Sequence, residues 1–191
     1  MKKWNDYLWI FSAVYMLSGF FNILFAWIGL ICFITPLLLS IIGKGKKYCN
    51  SYCGRGQLFE LLGSRLKLSS NRSIPAFVRS KWFRFGFLTF FMTMFMIMIF
   101  STYLVFSGTN NLREVVTLLW TIKFPWNWTN TSIVSPWIAQ FAFGFYSVML
   151  TSTILGLITM FFFKPRSWCV YCPMGTMTQT ISMLKFGRMV K

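Results

Sequence analysis

The sequence predicts an all-α integral membrane protein with about four transmembrane helices. Of its 191 residues, 56% are hydrophobic and 20% are aromatic, whereas only 12% are charged. A water-soluble domain of this size has no interior large enough for so much apolar surface. The apolar residues also form long runs without an internal charge, as transmembrane helices do. We therefore treat residues 1–191 as a single membrane domain.

The apolar runs set the predicted spans. The first run, at about 7–42, is too long for one crossing of a hydrocarbon core of roughly 30 Å at about 1.5 Å per residue. We expect it to form a hairpin that turns near residues 19–26, with Gly19 and Asn22 as turn residues. A single long tilted span with an external N-terminus is the alternative. The predicted spans are 7–22, 26–43, 85–106 and 137–163.

Basic residues predict which side each loop occupies. The net charge is +16, and ten of the 19 Lys and Arg residues lie in a basic loop at 44–84. Only Arg113 and Lys123 lie between the last two apolar runs. The positive-inside rule then places the N-terminus, the basic loop and the C-terminus in the cytoplasm, and the 107–136 loop outside. We expect a multi-pass protein of a cell membrane, bacterial in type, whose cations meet lipid headgroups and not nucleic acid.

The missing residue types exclude several chemistries. The chain has no histidine, which excludes His-ligated haem, Rieske centres and His-dependent nucleophiles. Asp6, Glu60 and Glu114 are its only carboxylates, so paired acid/base catalysis is poorly supplied. We expect an electron-transfer protein or subunit in preference to a stand-alone enzyme.

Two short segments are nearly copies of each other. Residues 48–58 and 168–177 both contain an aromatic residue before a cysteine, a second cysteine after two or three intervening residues, and a glycine after two further intervening residues. Each copy follows the end of an apolar run, so the predicted topology places both at the cytoplasmic membrane edge. Four thiolates can complete one set of ligands for zinc, [2Fe-2S] or [4Fe-4S]. The predicted ligands are Cys49, Cys53, Cys169 and Cys172.

The residues around these cysteines favour iron–sulfur. Cys172 precedes Pro173, as the last cysteine of ferredoxin cluster motifs does. The glycines allow backbone N–H groups to approach sulfur, the cations offset an anionic cluster, and the aromatic side chains can exclude water. These groups are Gly54, Gly56 and Gly175; Lys46, Lys47, Arg55 and Arg166; and Tyr48, Tyr52, Trp168 and Tyr171. We expect amphipathic helices to follow each motif, at 57–62 and 178–184, with N-termini that favour the thiolates.

Other interpretations of the cysteines remain. One alternative is a structural zinc site, and another is a redox dithiol formed by Cys169 and Cys172. A third is a pair of disulfides, which a reducing cytoplasmic face disfavours. Cys32 lies within an apolar run, so we expect it to act as a small hydrophobic residue outside the site. Tryptophans near 120–128 suggest an interfacial belt, with quinone or partner docking as the alternative.

The paired motifs resemble the membrane segment of 4Fe-4S polyferredoxin-like proteins. That family includes membrane ferredoxins that accompany nitrate reductase and nitrous oxide reductase maturation, and typically carries Cys-x-x-x-Cys-Pro twice. Here Gly54 replaces the first proline, and only two residues separate Cys169 from Cys172. The family's common soluble ferredoxin domain is not found within these residues.

The resemblance implies a membrane-bound iron–sulfur protein with one cluster, most simply [4Fe-4S], that transfers single electrons at the cytoplasmic face. We expect a soluble donor of ferredoxin or flavodoxin type, docking on the basic loop, and a membrane or external redox partner. One cluster at one face does not span the bilayer, so a quinone, a second cofactor or another subunit is also expected. The alternatives are a zinc-stabilised structural subunit of a membrane complex and a thiol-redox or assembly factor.

Overall fold

The computed structural model describes residues 7–42, 49, 52–119, 121–126 and 134–186, and most of these lie in helices. The long helices are α1 (Leu8–Phe21), α2 (Gly29–Ile41), α5 (Lys81–Phe106) and α6 (Pro136–Phe162). The short ones are α3 (Gly54–Glu60), α4 (Ala76–Arg79), α7 (Trp168–Tyr171) and α8 (Pro173–Phe186). A 3-10 helix spans Ile23–Ile28, and a π-helical turn spans Leu61–Arg65.

The first apolar run folds back on itself, as predicted. Helix α1 ends at Phe21, and Asn22 adopts an extended conformation in which its side-chain oxygen accepts a hydrogen bond from the Leu24 N–H at 3.1 Å. After this turn, the Tyr15 hydroxyl donates to the Ala26 carbonyl at 3.4 Å. Because a side chain at Gly29 would collide with the same hydroxyl, glycine permits this close approach. The break at Asn22 agrees with a hairpin and not with one continuous helix.

Within the described residues, three helices are long and apolar enough to cross a membrane: Ile23–Ile41, α5 and α6. They match the predicted spans at 26–43, 85–106 and 137–163 to within a few residues, although α5 begins four residues early, at Lys81. Helix α1 is apolar but has only 14 residues, or about 21 Å of helix. A fourth crossing by α1 therefore stays a prediction.

The prediction of an all-α fold is wrong for the 107–136 loop. Strands β1 (Val115–Leu118) and β2 (Ile122–Pro125) pair antiparallel in this loop. Valine, threonine, isoleucine and phenylalanine favour this extended pairing. The hairpin is attached to α6 by hydrogen bonds from the Arg113 N–H to Gln140 and from the Thr117 N–H to Ser147, each 3.0 Å long.

The predicted tryptophan belt is not confirmed where the structure describes it. Trp126 is buried, and its ring contacts Phe20 and Tyr146 at centroid distances of 5.1 and 6.0 Å. Trp120 and residues 127–133 lie outside the described residues. Trp126 therefore packs within the protein and does not serve as an exposed interfacial anchor.

The chain forms two compact units. The first contains the described residues within Met1–Ala13, Ile31–Thr89 and Ile154–Lys191, and the second those within Val14–Leu30 and Phe90–Thr153. Helices α1, α2, α5 and α6 each contribute to both units. Both cysteine motifs lie in the first unit, which agrees with their predicted placement on the same side. That this side is cytoplasmic stays a prediction.

In the first unit, each motif is followed by a helix that packs on the helix preceding the other motif. Phe59 of α3 is fully buried, and its ring lies where Gly156 of α6 has no side chain. The Ser40 hydroxyl of α2 donates to the Thr178 carbonyl of α8 at 2.6 Å in a buried hydrogen bond. These reciprocal contacts hold the two motifs together although they lie more than a hundred residues apart in sequence.

Candidate metal centre

The first motif is positioned by the start of α3. Cys53 has an extended backbone (φ −74°, ψ 103°) and immediately precedes the helix, which begins at Gly54. A Cβ atom at Gly54 would lie 2.7 Å from the Leu8 carbonyl oxygen of α1. The close approach of α1 explains why glycine occupies this position, where the resemblance predicts proline. Lys46, Lys47 and Tyr48 lie outside the described residues.

The second motif is also followed directly by a helix. Cys169 lies in the short helix α7, which ends before Cys172, where the backbone is no longer helical (φ −48°, ψ 129°). Helix α8 then begins at Pro173, at the first helical position, where proline loses no helical hydrogen bond. The backbone N–H groups of Met174 and Gly175 donate hydrogen bonds to the Cys172 sulfur. Both predicted helices are therefore present, and each begins directly after its second cysteine.

The four predicted ligands are neighbours. A Cβ atom at Gly56 would lie 3.5 Å from the Cys169 sulfur and 3.8 Å from the Cys53 sulfur, so both sulfurs border the space left by this glycine. Cys169 also interacts electrostatically with Cys49, Cys53 and Cys172. The structure thus brings cysteines from both motifs to one place in the first unit.

Burial controls the protonation of the second pair. Burial, together with repulsion from Cys53, Cys172 and Cys49, raises the pKa of the Cys169 thiol to about 12, while Arg166 opposes the shift. Burial likewise raises the pKa of Cys172 to about 11, although the N–H of Gly175 favours its thiolate. Both thiols are therefore neutral at pH 7 unless a cation replaces their protons.

The donor set fits an iron–sulfur cluster in composition. Four cysteines supply the ligand set of such a cluster, and the two N–H···S hydrogen bonds to Cys172 are of the kind that tunes it. Within the described ranges, no three Cys, Asp or Glu side chains are arranged to hold a metal ion, although cysteines of both motifs are neighbours. The structure describes all five cysteines, and no disulfide joins them.

Cys32 lies closer to the site than the sequence predicted. It is exposed on α2 but interacts electrostatically with Arg55 and Cys53. Its position within an apolar run gave no signal of this proximity, which results from the packing of α2 near the first motif.

Among the described residues, aromatic side chains enclose the second motif, whereas Tyr52 of the first motif is exposed. Trp168 and Tyr171 are buried, with ring centroids 5.0 Å apart. Phe87 of α5 contacts both rings at 5.7 and 5.0 Å, and Phe83 contacts Tyr171 at 5.6 Å. Tyr52, which was predicted to shield the site, is 43% exposed. Phe83 and Phe87 were not predicted because nothing in their local sequence distinguishes them from other apolar helix residues.

Two polar contacts connect the motifs to the rest of the first unit. Arg166 forms a salt bridge with Glu60 of α3, so the predicted cation near Cys169 also links the two halves of the site. Arg84 of α5 donates to the Gln179 side chain of α8 at 2.8 Å. Helices α3 and α8 are therefore held by ionic or polar contacts as well as by apolar packing.

Comparison with known proteins supports the iron–sulfur interpretation. The family model for a 4Fe-4S binding domain matches residues 25–75 and 147–190, and each matched segment contains one of the two cysteine pairs. No curated protein and no solved structure gives a significant match. The match gives no support to the zinc alternative. It supports a place for this chain among 4Fe-4S ferredoxin-like proteins.

Proposed function

We propose that this chain is a membrane-bound electron-transfer protein that holds one [4Fe-4S] cluster through Cys49, Cys53, Cys169 and Cys172. The observation that carries the proposal is that the two segments matched by the family model contain the same two cysteine pairs that the structure brings together. Each matched segment supplies one cysteine pair, and Cys169 of the second pair interacts with both cysteines of the first. The cluster, when bound, supplies a site that accepts and returns single electrons.

The surrounding residues prepare the site for a negatively charged group. The N–H groups of Met174 and Gly175 donate hydrogen bonds to the Cys172 sulfur, and the positive charge of Arg166 favours the thiolate of Cys169. Hydrogen bonds and cations of this kind stabilise thiolates and the more reduced state of a cluster. Trp168, Tyr171 and Phe87 exclude water on the side of the second motif.

The exposed side of the site suggests where a soluble partner docks. Tyr52 is accessible beside Cys53, whereas the second motif is enclosed by aromatic rings. The basic loop contains ten cations, which favours an acidic donor of ferredoxin or flavodoxin type. We assign the acceptor to the membrane or to an external partner, and the docking side to the cytoplasm, on the basis of the charge distribution.

A thiol-redox role is less well supported. A reactive dithiol requires a thiol whose pKa is lowered so that thiolate is present near neutral pH. Burial instead raises the pKa of Cys169 to about 12 and that of Cys172 to about 11. These thiols suit tight metal ligation better than nucleophilic attack.

Single substitutions of each cysteine test the proposal. We expect Cys→Ser changes at positions 49, 53, 169 and 172 each to abolish stoichiometric iron and the visible cluster absorption after anaerobic purification. Cys32→Ser is the matched control, because Cys32 is close to Cys53 but belongs to neither motif. Full iron retention in any of the four variants, or its loss in the Cys32→Ser control, contradicts the assigned ligand set.

A further inference from the structure

The segment that follows α3 crosses the end of α6 and is held there by specific hydrogen bonds. The Ser69 hydroxyl donates to the Phe163 carbonyl, and the Ser70 N–H donates to the Phe161 carbonyl at 3.0 Å. Lys67 and Asn71 both have φ values of 53°, in the left-handed region that non-glycine residues seldom adopt. We call residues 65–72 the strap. It is a fixed element that covers the carbonyl end of α6.

The strap contributes exposed cations that have no partner among the described residues. Gly63 packs on Pro165, where a Cβ atom would lie 2.8 Å from the proline ring, so the start of the strap lies beside Lys164. Four exposed cations lie in the strap or directly after α6, and in the described part of the chain none of their side chains makes a hydrogen bond or an ion pair. They are Arg65, Lys67, Arg72 and Lys164. The one carboxylate described in this unit, Glu60, is bound to Arg166.

Large apolar side chains are exposed among these cations. Leu66 and Leu68 flank Lys67 in the strap, and Leu66 is 58% exposed. Phe161 and Phe162 end α6, and Phe162 is 64% exposed. Helix α6 is 27 residues long, about 40 Å, which is enough to cross a hydrocarbon core of roughly 30 Å with its last turn at the headgroups. Cations beside exposed apolar side chains at this depth fit a lipid better than a soluble protein. This leaves seven of the ten cations of the basic loop, those outside the strap, for the acidic electron donor.

We propose that the strap and the end of α6 form a binding site for an acidic phospholipid. Lys67, Arg72 and Lys164 would bind the phosphodiester headgroup, and Leu66, Leu68 and Phe162 would contact the acyl chains. The site needs a headgroup without a compensating amine, because the protein already supplies the cations. The inference rests on the membrane location in the proposed function, but it does not depend on the cluster.

Lipid retention tests this site directly. The full-length protein is incorporated in nanodiscs of mixed phosphatidylcholine and phosphatidylglycerol, and the retained lipids are counted by native mass spectrometry. We expect preferential retention of phosphatidylglycerol, with each of Lys67→Gln, Arg72→Gln and Lys164→Gln reducing the preference about fivefold, since a cation at the surface contributes about 1 kcal/mol. Lys123→Gln, which removes an exposed cation from β2 in the second unit, should leave it unchanged.

The outcomes separate this inference from the proposed function. Equal retention of both lipids by the unmodified protein overturns the lipid site, as does an undiminished preference in all three variants. If the variants keep the lipid preference but lose binding of an acidic electron carrier, the surface belongs to a protein partner and the inference is wrong. Iron content measured on the same samples reports the cluster independently. Failure of the chain to insert into any bilayer contradicts the membrane location itself, and the lipid site with it.

Discussion

The two cysteine motifs are similar in sequence but differ in their surroundings. In the first, Tyr52 is exposed, and α3 has seven residues before a π-helical turn. In the second, Trp168 and Tyr171 are buried against α5, and α8 has 14 residues. The comparison teaches that a repeated motif fixes which atoms can be ligands, whereas tertiary neighbours decide which half of the site meets solvent.

Helices α3 and α8 also differ in the residue at one equivalent position and in the contact that this residue makes. Phe59 lies six residues after Cys53, and Thr178 lies six residues after Cys172. Both are almost fully buried against the helix that precedes the other motif. Phe59 is held by apolar packing and Thr178 by a hydrogen bond through its carbonyl, so the two contacts should differ in strength.

The largest expected effect comes from removing the apolar contact. We expect Phe59→Ala to lower the free energy of unfolding in detergent by about 3–5 kcal/mol, since a buried ring is lost and a cavity remains beside Gly156. Ser40→Ala, which removes the hydrogen bond to Thr178, should cost about 1 kcal/mol. Phe77→Ala is the control, because this phenylalanine is 70% exposed. Equal losses in the first two variants would show that the two helices are held equally.

The second expected effect concerns thiol reactivity in metal-free protein. Since burial raises the pKa of Cys172 to about 11 and that of Cys169 to about 12, alkylation of both should be half-maximal near those pH values, at least about a hundredfold slower at neutral pH than in the denatured chain. The neutral thiols stabilise the fold below pH 9, and this contribution should disappear as pH rises towards 12. Peptide mass spectrometry after timed alkylation measures the reactivity. Half-reaction near pH 9 would contradict the burial of this pair.

The third expected effect concerns the residue that directly follows the second cysteine of each motif, which is Gly54 in the first motif and Pro173 in the second. Gly54→Pro should lower stability by about 1–3 kcal/mol and weaken iron retention, because a side chain there meets the Leu8 carbonyl. Pro173→Gly should cost only about 0.5–1 kcal/mol, through greater freedom of the unfolded chain. Thermal unfolding and iron analysis measure both. If Gly54→Pro is tolerated as well as Gly175→Ala, whose Cβ meets nothing closer than 3.7 Å, then α1 does not constrain the first motif.

The smallest expected effect distinguishes the two tyrosines. The Tyr171 hydroxyl donates to Thr159 at 3.2 Å, so Tyr171→Phe should cost about 1 kcal/mol. Tyr52→Phe should leave the free energy of unfolding unchanged because its side chain is exposed. Chemical denaturation of the two variants in the same detergent makes the comparison. A larger loss for Tyr52→Phe would reverse the assignment of the enclosed and open sides.

The sequence predicted the features that depend on local pattern. Apolar runs located α2, α5 and α6, Asn22 marked the turn, and the repeated cysteines marked the candidate ligands. Features created by contacts between distant residues were not predicted. The β-hairpin depends on its attachment to α6, and the aromatic enclosure depends on Phe83 and Phe87, about 85 residues before Trp168. Composition alone does not reveal which of 23 phenylalanines face the site.

The most direct test of the central claim is the content of iron, acid-labile sulfide and zinc in the anaerobically purified full chain. A [4Fe-4S] centre predicts about four irons and four sulfides per chain, with an EPR signal on reduction that is lost in the Cys169→Ser variant. One zinc per chain without iron, or a colourless protein that binds neither metal, would contradict the account.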